Sequence, residues 1–173
     1  MRPVLIIPGY QNSGPGHWQS LWEASMGAAR VEMPNWEFPR RAGWVEALDD
    51  ALRKVGEPAL LVAHSLGCIA VAHWAREGNQ EVAGALLVAP TDVERADTLE
   101  VLRGFAPIPK SRLSFPTMVV AAEDDPYITP ERAKALAGFW GSRLRMLPTG
   151  GHLNTASGYG PWPAGEALLQ ELR

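Results

Sequence analysis

The chain has 173 residues, 46% of them hydrophobic, which suits one buried core and a single domain over 1–173. Sixteen basic against nineteen acidic residues, a formal net charge of −3, leave no basic footprint for nucleic acid, and no run of like charge points to a membrane surface. Cys68 is the single cysteine and excludes an internal disulfide, no apolar run reaches the length of a membrane span, and Met1-Arg2-Pro3 enters a strand without signal-peptide architecture, so a reducing, cytoplasmic setting and a small-molecule partner are expected, with protein partners and oligomeric state left open.

In chain order, an apolar run at residues 4–8 predicts a first strand, followed by the Gly-rich segment 8–16 and an amphipathic helix over 17–27. Residues 29–33 read as a second strand before a helix at 41–55, and residues 59–64 as a third before a helix at 66–77. The alternation continues with strands at 82–89, 118–122 and, more polar, 143–147, separated by helical stretches at 96–103 and 130–140 and closed by one at 163–172. Pro130 and Pro163 suit the first turns of the last two helices. Continuously apolar strands alternating with helices predict a three-layer α/β fold of about six mostly parallel strands with helices on both faces. The one long connection, residues 90–115, has room for a short helix and a loop but no large lid.

In such sheets ligands bind beyond the carboxyl ends of the strands, and the segments leaving those ends hold the chemistry. Ala63-His64-Ser65-Leu66-Gly67 joins the third strand to its helix and has the small-x-Ser-x-Gly form of a nucleophile elbow, in which small neighbours let strand and helix approach while the hydroxyl stands clear. Ser65 is the candidate nucleophile, with Ala63 where many such turns have glycine. A serine hydroxyl needs a base, and Thr149-Gly150-Gly151-His152 after the sixth strand offers His152 on a flexible approach. A carboxylate must hold that imidazole, and Asp124 and Asp125 both follow the fifth strand. The bend at Asp125-Pro126 favours Asp125 and leaves Asp124 to cap the turn. The order Ser, Asp, His along the chain is that of an α/β-hydrolase triad. The backbone amide of Leu66, at the start of the following helix, and that of Tyr10 or Gln11 are expected to form an oxyanion hole.

The other three histidines read as packing or satisfied surface: His64 is expected by strand alternation to point away from Ser65, His73 lies within a helix and His17 opens one. No His-x-x-x-His or equivalent pair supports a metal, and no cofactor is expected. Cys68, inside an apolar run, reads as a small core residue. Of seven tryptophans, Trp18, Trp36 and Trp162 sit among Gly and Pro; Trp18 and Trp162, with Tyr10, are the candidate walls of a substrate pocket.

Taken together, Ile7-Pro8-Gly9, Ser13-Gly14-Pro15-Gly16-His17-Trp18-Gln19, the segment 61–68 around Ser65, Ala85-Leu86-Leu87-Val88-Ala89-Pro90, Asp124-Asp125-Pro126-Tyr127, Gly151-His152 and Gly160-Pro161-Trp162-Pro163 make nearly the whole chain resemble the small serine hydrolase family that includes retinoblastoma-binding protein nine. The resemblance implies a minimal α/β-hydrolase fold without a large lid, and a triad carried over to Ser65, Asp125 and His152. It implies hydrolysis of a small ester, thioester or activated amide through an acyl-serine intermediate, and it supplies no natural substrate. A different class of function on the same fold is a non-catalytic binding module acting through a protein partner, although such a module has no need to retain all three residues.

Overall fold

The computed structural model describes residues 2–173. Six parallel strands, β1 (Val4–Ile7), β2 (Ala29–Arg30), β3 (Ala59–His64), β4 (Val82–Val88), β5 (Thr117–Ala122) and β6 (Arg143–Leu147), form one sheet in the order β2-β1-β3-β4-β5-β6. Five helices connect and cover them: α1 (Trp18–Met26), α2 (Arg41–Val55), α3 (Leu66–Trp74), α4 (Pro130–Trp140) and α5 (Pro163–Gln170).

Strand alternation sorts the core into two layers. Leu5, Ile7, Leu61, Ala63, Ala85, Leu87, Val119 and Ala121 face one side, where Trp44, Leu48 and Leu52 of α2, all of α3, and Leu136 and Trp140 of α4 pack on them. Val4, Ile6, Leu60, Val62, Leu86, Val88, Met118 and Val120 face the other, covered by Trp18 and Trp22 of α1 and Leu169 of α5. The inner strands are apolar throughout because both faces are covered. β6, at an edge, exposes Arg143, Leu144 and Arg145, and its alternating charge keeps a free edge from pairing with another chain.

Local chemistry sets the helix ends. Thr129 caps α4, its hydroxyl accepting from Arg132 N at 3.2 Å, with Pro130 in the first turn; Gly27, Gly56 and Gly141 end α1, α2 and α4 in the left-handed conformation that glycine adopts without strain. The second strand is shorter than its apolar run: Ala29–Arg30 pair with β1, Val31 N makes a last bond to Ile6 O at 2.9 Å, and Val31 and Met33 bury their side chains in the core layer that holds α2. The helix predicted at 96–103 is a 3-10 turn at Glu100–Phe105. Its connection is short but anchored, through buried Leu102, Phe105, Ile108 and Leu113, the Glu94 carboxylate accepting from Ile108 N and pairing with Arg132, and Trp140 Nε1 donating to Pro109 O at 2.8 Å. No helix among the described residues is long and apolar enough to cross a membrane.

Candidate active site

The turn between β3 and α3 places Ser65 at φ 56°, ψ −121°, a backbone conformation that an L side chain occupies only when its surroundings impose it. Those surroundings are visible. A Cβ on Gly67 would stand 2.4 Å from Ile7 O and 2.7 Å from Pro8 O, and one on Gly9 would stand 2.8 Å from Ser65 Cβ. Both positions therefore require glycine, and the loop leaving β1 lies directly against the serine turn. Buried Gln19 ties the same strand ends together, its Nε2 donating to Ile7 O and Val62 O while its Oε1 accepts from Ser13 Oγ at 2.6 Å. Ala63 fits where many such turns have glycine, fully buried on the α3 side of the sheet.

His152 arrives on the loop after β6, through Gly150 at φ 157° and Gly151 at φ 53°. Both its backbone N–H and its C=O are held: Ser157 Oγ accepts from His152 N at 3.2 Å, and His64 Nε2 donates to His152 O at 2.8 Å. Asp124 Oδ1 accepts from Gly151 N at 2.8 Å, so this carboxylate shapes the turn. It is Asp125 that reaches the imidazole, with Oδ2 2.9 Å and Oδ1 3.1 Å from His152 Nδ1. The Asp125 side chain is fully buried and also accepts from Tyr127 N at 2.9 Å. A carboxylate can only accept, so Nδ1 carries the proton and Nε2 is bare. That bare nitrogen is 2.8 Å from Ser65 Oγ, the geometry in which an imidazole takes the hydroxyl proton.

Two amides beside the serine are open. Among the described residues no acceptor meets the N–H of Leu66 or of Tyr10, whereas Gln11 N donates to Trp36 O at 3.1 Å and is unavailable. The open cavity over Ser65, about 520 Å³, is bordered by Tyr10, Tyr127, Leu99 and Leu102 among others, with the Tyr127 ring edge-on to His152 at 4.6 Å.

Three expectations are corrected. Trp18 does not line the cavity: it is fully buried, donates Nε1–H to Leu153 O at 2.8 Å, and packs edge-on against Trp22 and Trp162. Trp162 is likewise buried, at 5.9 Å and 15° to the Trp22 ring. The gap between the sheet and α1 and α5 is filled by these indoles, whose apolar area stabilises most when wholly removed from water. His64 does not point away from the site. It borders the cavity and bonds the His152 backbone, because the left-handed turn at Ser65 breaks the alternation that would have sent neighbouring side chains to opposite faces. The signal available beforehand was a histidine buried in an otherwise apolar strand, which must find a partner.

Electrostatically the histidines differ by burial. His64 is held well below the usual imidazole pKa by desolvation and by the neighbouring imidazoles of His152 and His17. His17, the N-cap of α1, is lowered to about 4 by desolvation, with Arg30 and His152 adding to the effect. Burial pushes the Cys68 thiol far up and makes it inert.

A YdeN-like protein of Pectobacterium atrosepticum is similar to this chain, 30% identical with a TM-score of 0.87 over 98% of this chain and 90% of the other. The ydeN gene product of Bacillus subtilis is 25% identical, with a TM-score of 0.78 over 99% and 98%. The RedJ thioesterase of the prodiginine pathway in Streptomyces coelicolor shares the fold at 19% identity and a TM-score of 0.70, covering 99% of this chain and 89% of its own. The sequence also matches the pattern of the Serine hydrolase family over residues 4–171. With its six-stranded parallel sheet and the serine turn at the end of β3, the chain belongs to the serine hydrolase family and has the α/β-hydrolase fold.

Proposed function

We propose that this protein hydrolyses small ester, thioester or activated amide substrates through an acyl-Ser65 intermediate. One observation carries the reading: Ser65, His152 and Asp125, brought together from the ends of β3, β6 and β5, are joined by contacts of 2.8 Å and 2.9 Å in the tautomer that makes His152 a base. Ser65 Oγ attacks the substrate carbonyl as His152 Nε2 takes its proton; the buried Asp125 carboxylate steadies the imidazolium; His152 returns the proton to the leaving group. Water, deprotonated by the same nitrogen, then releases the acid. The amides of Leu66 and Tyr10 meet the oxyanion, the first also at the positive end of α3. Apolar Leu99, Leu102 and Tyr127 offer a short wall for the acyl chain. A fluorophosphonate that labels the wild-type protein and leaves Ser65→Ala unlabelled is the expected result. Labelling of both, or of neither, overturns the proposal.

A further inference from the structure

Beyond the acyl wall, the cavity has a second side, built where the loop leaving β1 meets the loop leaving β6. They meet where Trp18, the first residue of α1, donates Nε1–H to Leu153 O. Three side chains on this side, Asn12, His17 and Asn154, border the cavity, and the orientation of each is dictated by its partners. Asn12 Oδ1 accepts from Ser13 N at 2.8 Å and from Arg30 Nη1 at 2.7 Å. His17 Nδ1 accepts from Gln19 N at 3.1 Å. Asn154 Oδ1 accepts from Ser157 N at 3.0 Å and Ser157 Oγ at 2.8 Å. A backbone N–H or a guanidinium can only donate, so the amide oxygens and Nδ1 are the inward atoms, and the Asn12 and Asn154 NH2 groups and the His17 Nε2–H are what remains. Among the described residues none of the three meets an acceptor, and His17 Nε2 is a buried donor without any partner, on a residue only 5% exposed. Buried donors left unpaired are costly, and a ligand that supplies acceptors removes that cost.

Acceptors nearby are few. Gln11 turns its NH2 to Glu37 and leaves its oxygen at the exposed rim. The bare Nδ1 of His64 belongs to a ring flanked by His17, Trp18 and His152. Asp92 and Asp97 lie on the other side of the cavity, paired with Arg132 and Arg95.

Building on the assignment of Ser65 above, we propose that the Asn12, His17 and Asn154 side is a donor-lined subsite that selects substrates carrying a second oxygen acceptor, a ketone or carboxylate, beyond the scissile carbonyl. The test uses the Ser65→Ala protein, in which binding is read by calorimetry without turnover, and three ligands of matched length: methyl pentanoate, methyl 4-oxopentanoate and monomethyl succinate. At least one of the two oxygenated esters is expected to bind about tenfold more tightly than methyl pentanoate, the worth of one good hydrogen bond. A tighter succinate ester identifies an anionic group, and a preference for the ketone a neutral carbonyl. His17→Asn keeps an acceptor for Gln19 N and removes the Nε2 donor; Asn12→Asp and Asn154→Asp keep the inward oxygen and remove the NH2. Each is expected to lower, by about fivefold, the ratio of the affinity of the tighter oxygenated ester to that of pentanoate. Equal binding of all three esters, or a ratio that none of the variants changes, overturns the subsite. Continued hydrolysis by Ser65→Ala overturns the role of Ser65 instead and leaves the ligand ratio readable.

Discussion

The two ends of the sheet handle backbone strain differently. At the carboxyl ends of the strands, Gln11 and Asn12 follow β1, Ser65 follows β3, Ala89 follows β4 and Leu153 lies beyond β6, and all five hold positive φ with side chains attached. At the opposite end, where α1, α2 and α4 return to the sheet, the left-handed positions are Gly27, Gly56 and Gly141, which accept that conformation freely. Turns at the helix ends only reverse the chain, so glycine serves. Turns beyond the strands must present a hydroxyl, amides and an imidazole at set distances, and the surrounding packing holds them strained.

The largest expected effect breaks the strained end chemically. Ser65→Ala should fold normally and lose turnover by about a millionfold, and Asp125→Asn by about ten-thousandfold, because members of a triad act as a unit. Asp124→Asn, which touches Gly151 N and not the imidazole, should cost far less. Steady-state kinetics on a p-nitrophenyl ester ranks the three, and a larger loss for Asp124→Asn than for Asp125→Asn reverses their roles.

The same end can be broken by packing. Gly67→Ala drives a methyl into Ile7 O at 2.4 Å and should lose about 1–3 kcal/mol in urea unfolding together with activity, as overpacking against backbone does. Gly27→Ala, where nothing lies within 4 Å, should cost only the left-handed strain of about 1–2 kcal/mol and leave kcat/KM unchanged. Equal activity losses would erase the contrast between the ends.

His64 sharpens the comparison. His64→Leu leaves His152 O without its donor, while His64→Gln can restore an N–H to it. We expect kcat/KM to fall roughly tenfold to a hundredfold for Leu, with partial recovery for Gln. Equal rates for the two variants would make the side chain mere filling.

Acid acts on the fold. His17, with its pKa lowered to about 4 in the fold, lies below the unfolded value of about 6.5. The unfolded chain then binds protons first, so stability is complete above about pH 6.5 and drains away as pH falls to about 4, with His64 shifted in the same direction. Melting temperatures that stay level from pH 7 to 4 would contradict neutral buried imidazoles. The smallest effect concerns acyl length: with a short apolar border that includes Tyr10, Leu99, Leu102 and Tyr127, kcat/KM on p-nitrophenyl esters should peak at acetate or butyrate, with no activation by micelles. A steady rise through decanoate would reveal a longer groove.

Much of this molecule follows from short-range pattern. Apolar runs at β1, β3, β4 and β5, the Pro130 and Thr129 start of α4, and the spacing of Ala63, Ser65 and Gly67 are local features, and local physics suffices to read them as parallel strands, helices and a serine turn. The segments after the third, fifth and sixth strands named the same site because a parallel sheet gathers its carboxyl ends on one side. What only the tertiary structure decided depends on partners far apart in the chain. The use of Tyr10 rather than Gln11 as the open amide, the bond from His64 to the His152 backbone, and the burial of Trp18 and Trp162 in an indole cluster are all set by residues 25 to 144 positions away. Side-chain type declares what a residue can donate, accept or bury; which partner it meets is fixed by how the two layers close over the sheet.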